Sequence, residues 1–392
     1  MCLLCDQARG RQFQAGEGSD GRALYGLSIA PAELLDNGSV AVTRRATHTD
    51  GVLDYYLHSL GGAVTVSGGG FGEQTIQALS MSGADQAYFN AMVRRLDNII
   101  DLDFRQVGGA AAADVELYYD SEIELGGGSN LIGLATNDPN GGWELFVNYP
   151  KVESDEAYRR YVLIHEFGHS LGLEHPFEAG DGDAVNGITD PWLSAYPEDT
   201  VMAYRNPFSG SWPDFFTDND INALIEAWGA ERQFLGAGGS RFDGNAYREI
   251  VQGGVGADQI SGAGGFDAIA GGAGDDELRG GRNADEVRGG SGNDRLFGGR
   301  GHDTLIGGKG DDVIRGGFGA DRFVYSAGND LIEDFRLSDN DHFEIQVGLA
   351  YELQQQGSDL QVISALGTTT LLGVNQGLLQ NQNWIISDQM IV

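Results

Sequence analysis

From residue 253 the apolar positions recur every ninth residue: Ile260, Ile269, Leu278, Val287, Leu296, Leu305, Ile314 and Phe323. They sit at position eight of eight consecutive nonapeptides, from GGVGADQIS through GGFGADRFV. One apolar residue in nine fits neither a helical face nor an alternating strand, but it fits a three-residue strand with its middle side chain turned inward. Such a strand buries nothing alone, whereas stacked turns create a continuous apolar column. Downstream, "DHFEIQV", "LQVISAL" and "TTTLLGV" alternate, predicting β-strands that cap the stack over residues 325–392. Upstream, "VELYYD" and "WELFVNY" read as strands, while "DQAYFNAMVRRLDNIIDL" and "SDEAYRRYVLIHEFGHSLG" carry helical spacing. Residues 233–252 lose that pattern and make the expected junction, their last part resembling a degenerate first repeat.

Composition sharpens the picture at two points. The 392 residues include 62 glycines, and their net charge of −34 opposes binding to nucleic acid or anionic lipid. No run approaches the ~20 apolar residues of a membrane span. The first residues also lack the apolar stretch of a cleavable secretory signal. Two cysteines, Cys2 and Cys5, cannot form a disulfide framework.

Position six of every nonapeptide is aspartate: Asp258, Asp267, Asp276, Asp285, Asp294, Asp303, Asp312 and Asp321. Carboxylates beside glycine-rich turns, whose carbonyls can converge, present hard oxygen ligands suited to Ca²⁺. The block resembles the RTX repeats of secreted bacterial proteins, GGxGxDxUx, which form a calcium-bound parallel β-roll. By that resemblance an ion lies between a turn and the turn two repeats later, giving roughly six regular sites. Ala263 and Asn283 replace consensus glycines, so their turns are expected to be weaker.

A second motif lies in the later helical segment, "HEFGHSLGLEH" over residues 165–175. His165 and His169 are one helical turn apart and can hold one metal ion. Gly172 can end the helix in a left-handed turn that returns His175 to the same ion. Glu166 is placed to act on water without being a ligand. Three nitrogens and an open position are the pattern of a catalytic zinc. HExxHxxGxxH with "DTVMAYRNP" downstream resembles the serralysins, the RTX-bearing metzincins, with Met202 in the Met-turn. "FTDNDINALIEAWGAE" resembles the helix that closes their catalytic domain.

The resemblance covers residue 46 to the carboxy terminus. It implies an α+β metzincin catalytic domain over 46–232, then an all-β calcium-binding parallel β-roll/β-sandwich domain over 233–392. The implied activity is a secreted zinc endopeptidase with one catalytic Zn²⁺, several structural Ca²⁺ and protein or peptide substrates. Glu166 would take the proton of the attacking water, whose pKa zinc brings towards ~7. Tyr204 would be a zinc ligand that swings away to stabilise the oxyanion. An extended substrate would pair with an edge strand, for which "WELFVNY" (143–149) is the candidate.

The same resemblance implies type I secretion from a Gram-negative bacterium, directed by an uncleaved signal in the tail "WIISDQMIV", and a monomeric product without a membrane span. External calcium would drive folding after export. Residues 1–45 would be a prosegment. Some metzincins are held latent by a prosegment cysteine on zinc, a role open to Cys5 or Cys2. An inert tail, a CxxC disulfide or a half metal site are the other readings of that pair. The non-enzymatic alternative for the whole chain is a calcium-binding RTX adhesion or surface module with a vestigial protease head.

Overall fold

The computed structural model describes residues 27–123, 131–137, 142–177, 184, 195–346, 348–378 and 384–386. The chain divides into two compact units at Gly229/Ala230. Among the described residues no helix is long and apolar enough to cross a membrane.

The first unit is built on a seven-stranded sheet. Its strands are β1 (Val52–Leu57), β2 (Gly62–Val66), β3 (Gln74–Leu79), β4 (Asp103–Gln106), β5 (Val115–Asp120), β6 (Gly133–Asn137) and β7 (Trp143–Asn148). β5 is central: β1 and then β3 share one side, and β7 runs parallel along the other. β1 alternates half-buried and buried positions, whereas every residue of β7 is buried. A strand covered on both faces needs no polar alternation, which is why "WELFVN" reads as a continuous apolar run apart from Glu144 and the terminal Asn148. That carboxylate is buried too, and it accepts hydrogen bonds from the Ser67 and Gly68 amides, tying down the loop after β2.

The helices are α1 (Asn37–Ala46), α2 (Gly83–Asp97), α3 (Tyr149–Val152), α4 (Glu156–Ser170) and α5 (Asp218–Trp228). Side-chain caps start all of them but α3: Ser82 Oγ accepts from the Asp85 amide, and Asp155 from the Tyr158 amide. Asp85 also meets Arg159 in a buried ion pair that fastens α2 to α4. α2 stops short of the "NIIDL" end of its apolar pattern. There Asp97 Oδ1 accepts the Phe104 amide and the chain turns to feed β4.

The expected division at residue 45 falls inside α1. Leu34, Leu35, Val40 and Thr43 are buried, and Thr43 donates to the Ser170 carbonyl while accepting from Trp143 Nε1. Residues 27–45 therefore belong to the packed unit, because their apolar side chains complete its core.

In the second unit successive turns alternate between two parallel sheets. One sheet carries Ala268–Ala273, Glu286–Ser291, Thr304–Lys309 and Arg322–Val324; the other carries Glu277–Arg282, Arg295–Arg300, Val313–Phe318 and Gly328–Ile332. The register advances by two repeats, pairing Ile269 with Val287 and Leu278 with Leu296. All eight position-eight residues are at most 2% exposed, forming the column their spacing predicts. Ala263 and Asn283 take φ of +68° and +75°, the left-handed conformation glycine would supply. Strands Tyr351–Gln356, Asp359–Ser364 and Gly367–Leu371 extend one sheet antiparallel to one another, with Leu360, Val362 and Leu371 continuing the core.

Candidate metal centre

His165, His169 and His175 converge: their ligand nitrogens all lie within 4.8 Å of one another, and all three residues are buried. α4 supplies the first two from one face. Its end is a Schellman turn, in which the Leu173 amide donates to the Gly168 carbonyl and the Gly172 amide to that of His169. Gly172 has φ +101°, the conformation that reverses the chain and carries His175 back. The segment before α1 braces this turn, since the Asp36 amide donates to the Gly172 carbonyl and the Glu174 amide to that of Leu34.

The ring orientations are fixed from behind. His165 Nδ1 lies 2.8 Å from the Val201 carbonyl and His169 Nδ1 lies 2.8 Å from the Leu173 carbonyl. A carbonyl only accepts, so each Nδ1 carries the proton and each Nε2 offers its lone pair to the centre. Burial, then the neighbouring histidines, holds both imidazoles well below the usual histidine range, in the neutral form that binds metal.

Glu166 is fully buried, and neither carboxylate oxygen has a hydrogen-bond partner among the described residues. Desolvation pushes its pKa well above the ordinary glutamate value. His169 Nε2 is likewise buried without a hydrogen-bond partner among the described residues. Orphaned groups of this kind cost ~1–3 kcal/mol each, so their concentration at one point marks a site for a ligand. Three converging imidazoles around one point fit a tetrahedral divalent ion with one position open. The residues present therefore fit zinc.

Met202 is fully buried against α4, so close that a Cβ on Gly168 would stand 3.0 Å from its sulfur. The turn bearing Met202 hangs from Asp220 at the start of α5. Asp220 accepts from Thr200 Oγ1 at 2.5 Å and from the Val201 amide at 2.9 Å. Because Val201 also supplies the carbonyl behind His165, Asp220 positions a candidate ligand at second hand. In the sequence only the Thr217–Asp220 capping box marks it.

Tyr204 stands beside the triad, its ring centroid 4.8 Å from His175 and 5.9 Å from His165. Phe177 stacks on His175 at 4.9 Å and meets Tyr204 edge-on at 4.9 Å. Cys2, Cys5 and the tail after residue 386 lie outside the described residues.

The strand expected to receive substrate is not an edge. β7 pairs with β5 on one side and β6 on the other, so its backbone groups are committed. Among the described residues β6 is the outermost strand on that side, and its Gly133 faces Glu166.

In the roll, the eight position-six aspartates are at most 3% exposed and form two ladders. Each amide donates to the Oδ1 of the carboxylate two turns on, as Asp276 to Asp294 at 2.8 Å and Asp285 to Asp303 at 2.9 Å. The ladders continue past the repeats to Asp330 and Asp341. For most rungs the second oxygen is buried without a partner among the described residues. Burial, then neighbouring carboxylates, raises many of these acids, to about 7 for Asp285 and Asp303.

Residues 236–332 match the RTX calcium-binding nonapeptide repeat in overlapping stretches, 236–269, 243–278, 261–296, 270–305 and 297–332. Over the carboxy-terminal repeat region the chain is 37% identical in 86 residues to a serralysin of Photorhabdus sp. (strain Az29), covering 19% of this chain and 17% of that one. It is 36% identical in 83 residues to a serralysin of Proteus mirabilis, covering 19% and 16%. The chain thus matches about a sixth of the length of these relatives. Among solved structures, the extracellular lipase LipA from Serratia marcescens aligns over 40% of each chain at 18% identity, with a TM-score of 0.22. The second unit therefore carries RTX calcium-binding repeats, and its parallel β-roll is the fold they build.

Proposed function

We propose that the first unit is a zinc-dependent endopeptidase of the metzincin class, secreted together with its calcium-binding roll. The observation that carries this is Glu166, a buried carboxylate without a hydrogen-bond partner among the described residues, beside three imidazoles that converge from α4 and the turn after it. His165, His169 and His175 would hold the ion, which supplies a Lewis acid for the scissile carbonyl and an acidified water.

The remaining chemistry belongs to the chain. Glu166, with its raised pKa, accepts the proton of the attacking water and returns it to the leaving amine. Tyr204, next to His175, would be a further ligand to a bound ion and a hydrogen-bond donor to the oxyanion. The outer edge of β6 offers its amides and carbonyls to an extended peptide, which would lie as an added strand in front of α4. Export by a type I route and calcium-driven folding of the roll complete the proposal, as does a prosegment cysteine, Cys5 or Cys2, that blocks the open position before activation.

The test is casein hydrolysis by wild type and by Glu166→Ala, each with zinc content measured. Loss of activity at unchanged zinc content supports the proposal. Equal activity in the two proteins defeats it, and no activity in zinc-loaded wild type favours an RTX surface module with a vestigial head.

A further inference from the structure

Seven carboxylate oxygens of the roll are buried without a hydrogen-bond partner among the described residues. Six belong to Asp267, Asp276, Asp285, Asp294, Asp303 and Asp312, within the regular repeats. The seventh is Oε2 of Glu249, which is only 2% exposed and lies ahead of the first GGxGxD unit.

The turn around Glu249, GNAYREIVQ, keeps the leading glycine and the apolar position-eight residue of the repeat, Val251, and carries glutamate at the aspartate position. Its geometry is nevertheless that of a regular turn. A Cβ on Gly244 would lie 2.3 Å from Glu249 Oε2 and 2.7 Å from the Gly262 carbonyl oxygen. The equivalent point on Gly262 lies 2.2 Å from Asp267 Oδ2 and 2.8 Å from the Gly280 carbonyl, and on Gly271 it lies 2.2 Å from Asp276 Oδ2 and 2.7 Å from that of Gly289. The same two oxygens converge in the same way at all three turns.

The longer side chain is accommodated by a change of partner. The Glu249 amide joins the ladder by donating to Asp267 Oδ1 at 2.9 Å. Its own Oε1 accepts the Asn245 amide of its own turn at 2.7 Å. That bond turns the carboxylate so that Oε2 reaches the place an aspartate oxygen would occupy. The other ladder ends differently. Asp258 Oδ1 accepts from the Ser240 amide and Oδ2 from the Gly254 amide, so neither oxygen is left over.

We infer that Glu249 completes a calcium site of its own, with carbonyl oxygens of the flanking turns, one turn before the regular repeats begin. An oxygen-only donor set with a carboxylate suits a hard divalent cation, and the spacing matches that of the sites it adjoins. One ladder of the roll would then end on an ion and the other on protein hydrogen bonds.

The inference rests on the repeats binding calcium, and the experiment separates the two. The full chain, as wild type, Glu249→Gln, Glu249→Asp and Asp276→Asn, is equilibrated with calcium, desalted, and its calcium per chain measured by elemental mass spectrometry. Glu249→Gln should bind one ion fewer than wild type, Glu249→Asp the same number, and the interior control Asp276→Asn at least one fewer. Equal calcium in wild type and Glu249→Gln, with a loss in Asp276→Asn, overturns the Glu249 site alone. No loss in Asp276→Asn overturns the calcium ladder itself. If Glu249→Gln does not fold, terbium luminescence of Glu249→Asp against wild type decides: the aspartate variant should show the wild-type number of sites, and a smaller number in wild type overturns the inference.

Discussion

Gly133 on β6 meets Glu166 on α4 through the side chain it lacks. A Cβ at position 133 would stand 2.1 Å from Glu166 Oε1 and 2.7 Å from its carboxyl carbon. Strand and carboxylate can be this close only because residue 133 is glycine.

Gly133→Ala should therefore displace the carboxylate while leaving the three histidines in place. A shift of about 1 Å at a catalytic group costs on the order of 10²-fold in rate. The expected result is a fall in kcat of that order with zinc content and thermal midpoint close to wild type. An unchanged kcat would show that Glu166 is not held by β6 in the working protein.

Asp220 offers a test at second hand. It accepts four hydrogen bonds, from Thr200 Oγ1, the Val201 amide, the Thr217 amide and Thr217 Oγ1. Asp220→Ala strands those donors in the core, at about 1–3 kcal/mol for each one left buried and unpaired. The Val201 carbonyl behind His165 would move with them. Zinc affinity should fall about 10–100-fold, as it does when groups behind a ligating histidine are lost. Competition against a fluorescent chelator measures this, and wild-type affinity in a folded Asp220→Ala would refute the linkage.

Ala263 carries the clearest backbone strain in the roll. Its φ of +68° costs an L-residue roughly 1–2 kcal/mol, which glycine avoids while losing part of that gain to the unfolded chain. Ala263→Gly should lower the calcium concentration at which the roll folds, by a factor of two or more. A midpoint that rises instead would show that this turn is relaxed in the folded protein.

What was legible in the chain was whatever repeats or follows helical spacing. The column from Ile260 to Phe323 and the two carboxylate ladders follow from a nine-residue period, because each turn sees only its neighbours. The meeting of His165 with His169 follows from 3.6 residues per turn, and that of His175 from the glycine that reverses the chain. Contacts between elements distant in sequence left no such trace. Nothing local marks Gly133 as the glycine opposite Glu166, or residues 27–45 as core. β7 looked like an edge because full burial and a pairing strand on each side cannot be told apart from a single run of residues. Glu249 escaped notice for a different reason: its turn has lost the consensus but kept the shape.

The ladders also make folding of the roll depend on protons as well as on calcium. Glu249, Asp267, Asp285, Asp303, Asp312 and Asp321 are raised to about 7 and Asp294 to about 6, by burial first and by neighbouring carboxylates after it. In the unfolded chain the same groups titrate near ~4. Without calcium the folded roll therefore binds more protons than the unfolded chain, and stability from this source rises as pH falls. It is complete below pH ~4 and lost as pH climbs through 6 to 7, when the clustered carboxyls must ionise without a counter-ion. Calcium reverses the dependence, since each ion has to displace protons and its affinity weakens below pH 7. Hydrogen exchange of peptides from residues 253–324, with labelling times corrected for pH, reads the roll separately from the rest of the chain. In calcium-free buffer those peptides should be protected at pH 5 and exchange freely at pH 8; with millimolar calcium they should be protected at pH 8. Calcium-free peptides that exchange as freely at pH 5 as at pH 8 would mean that protons cannot stand in for the ions along the ladders.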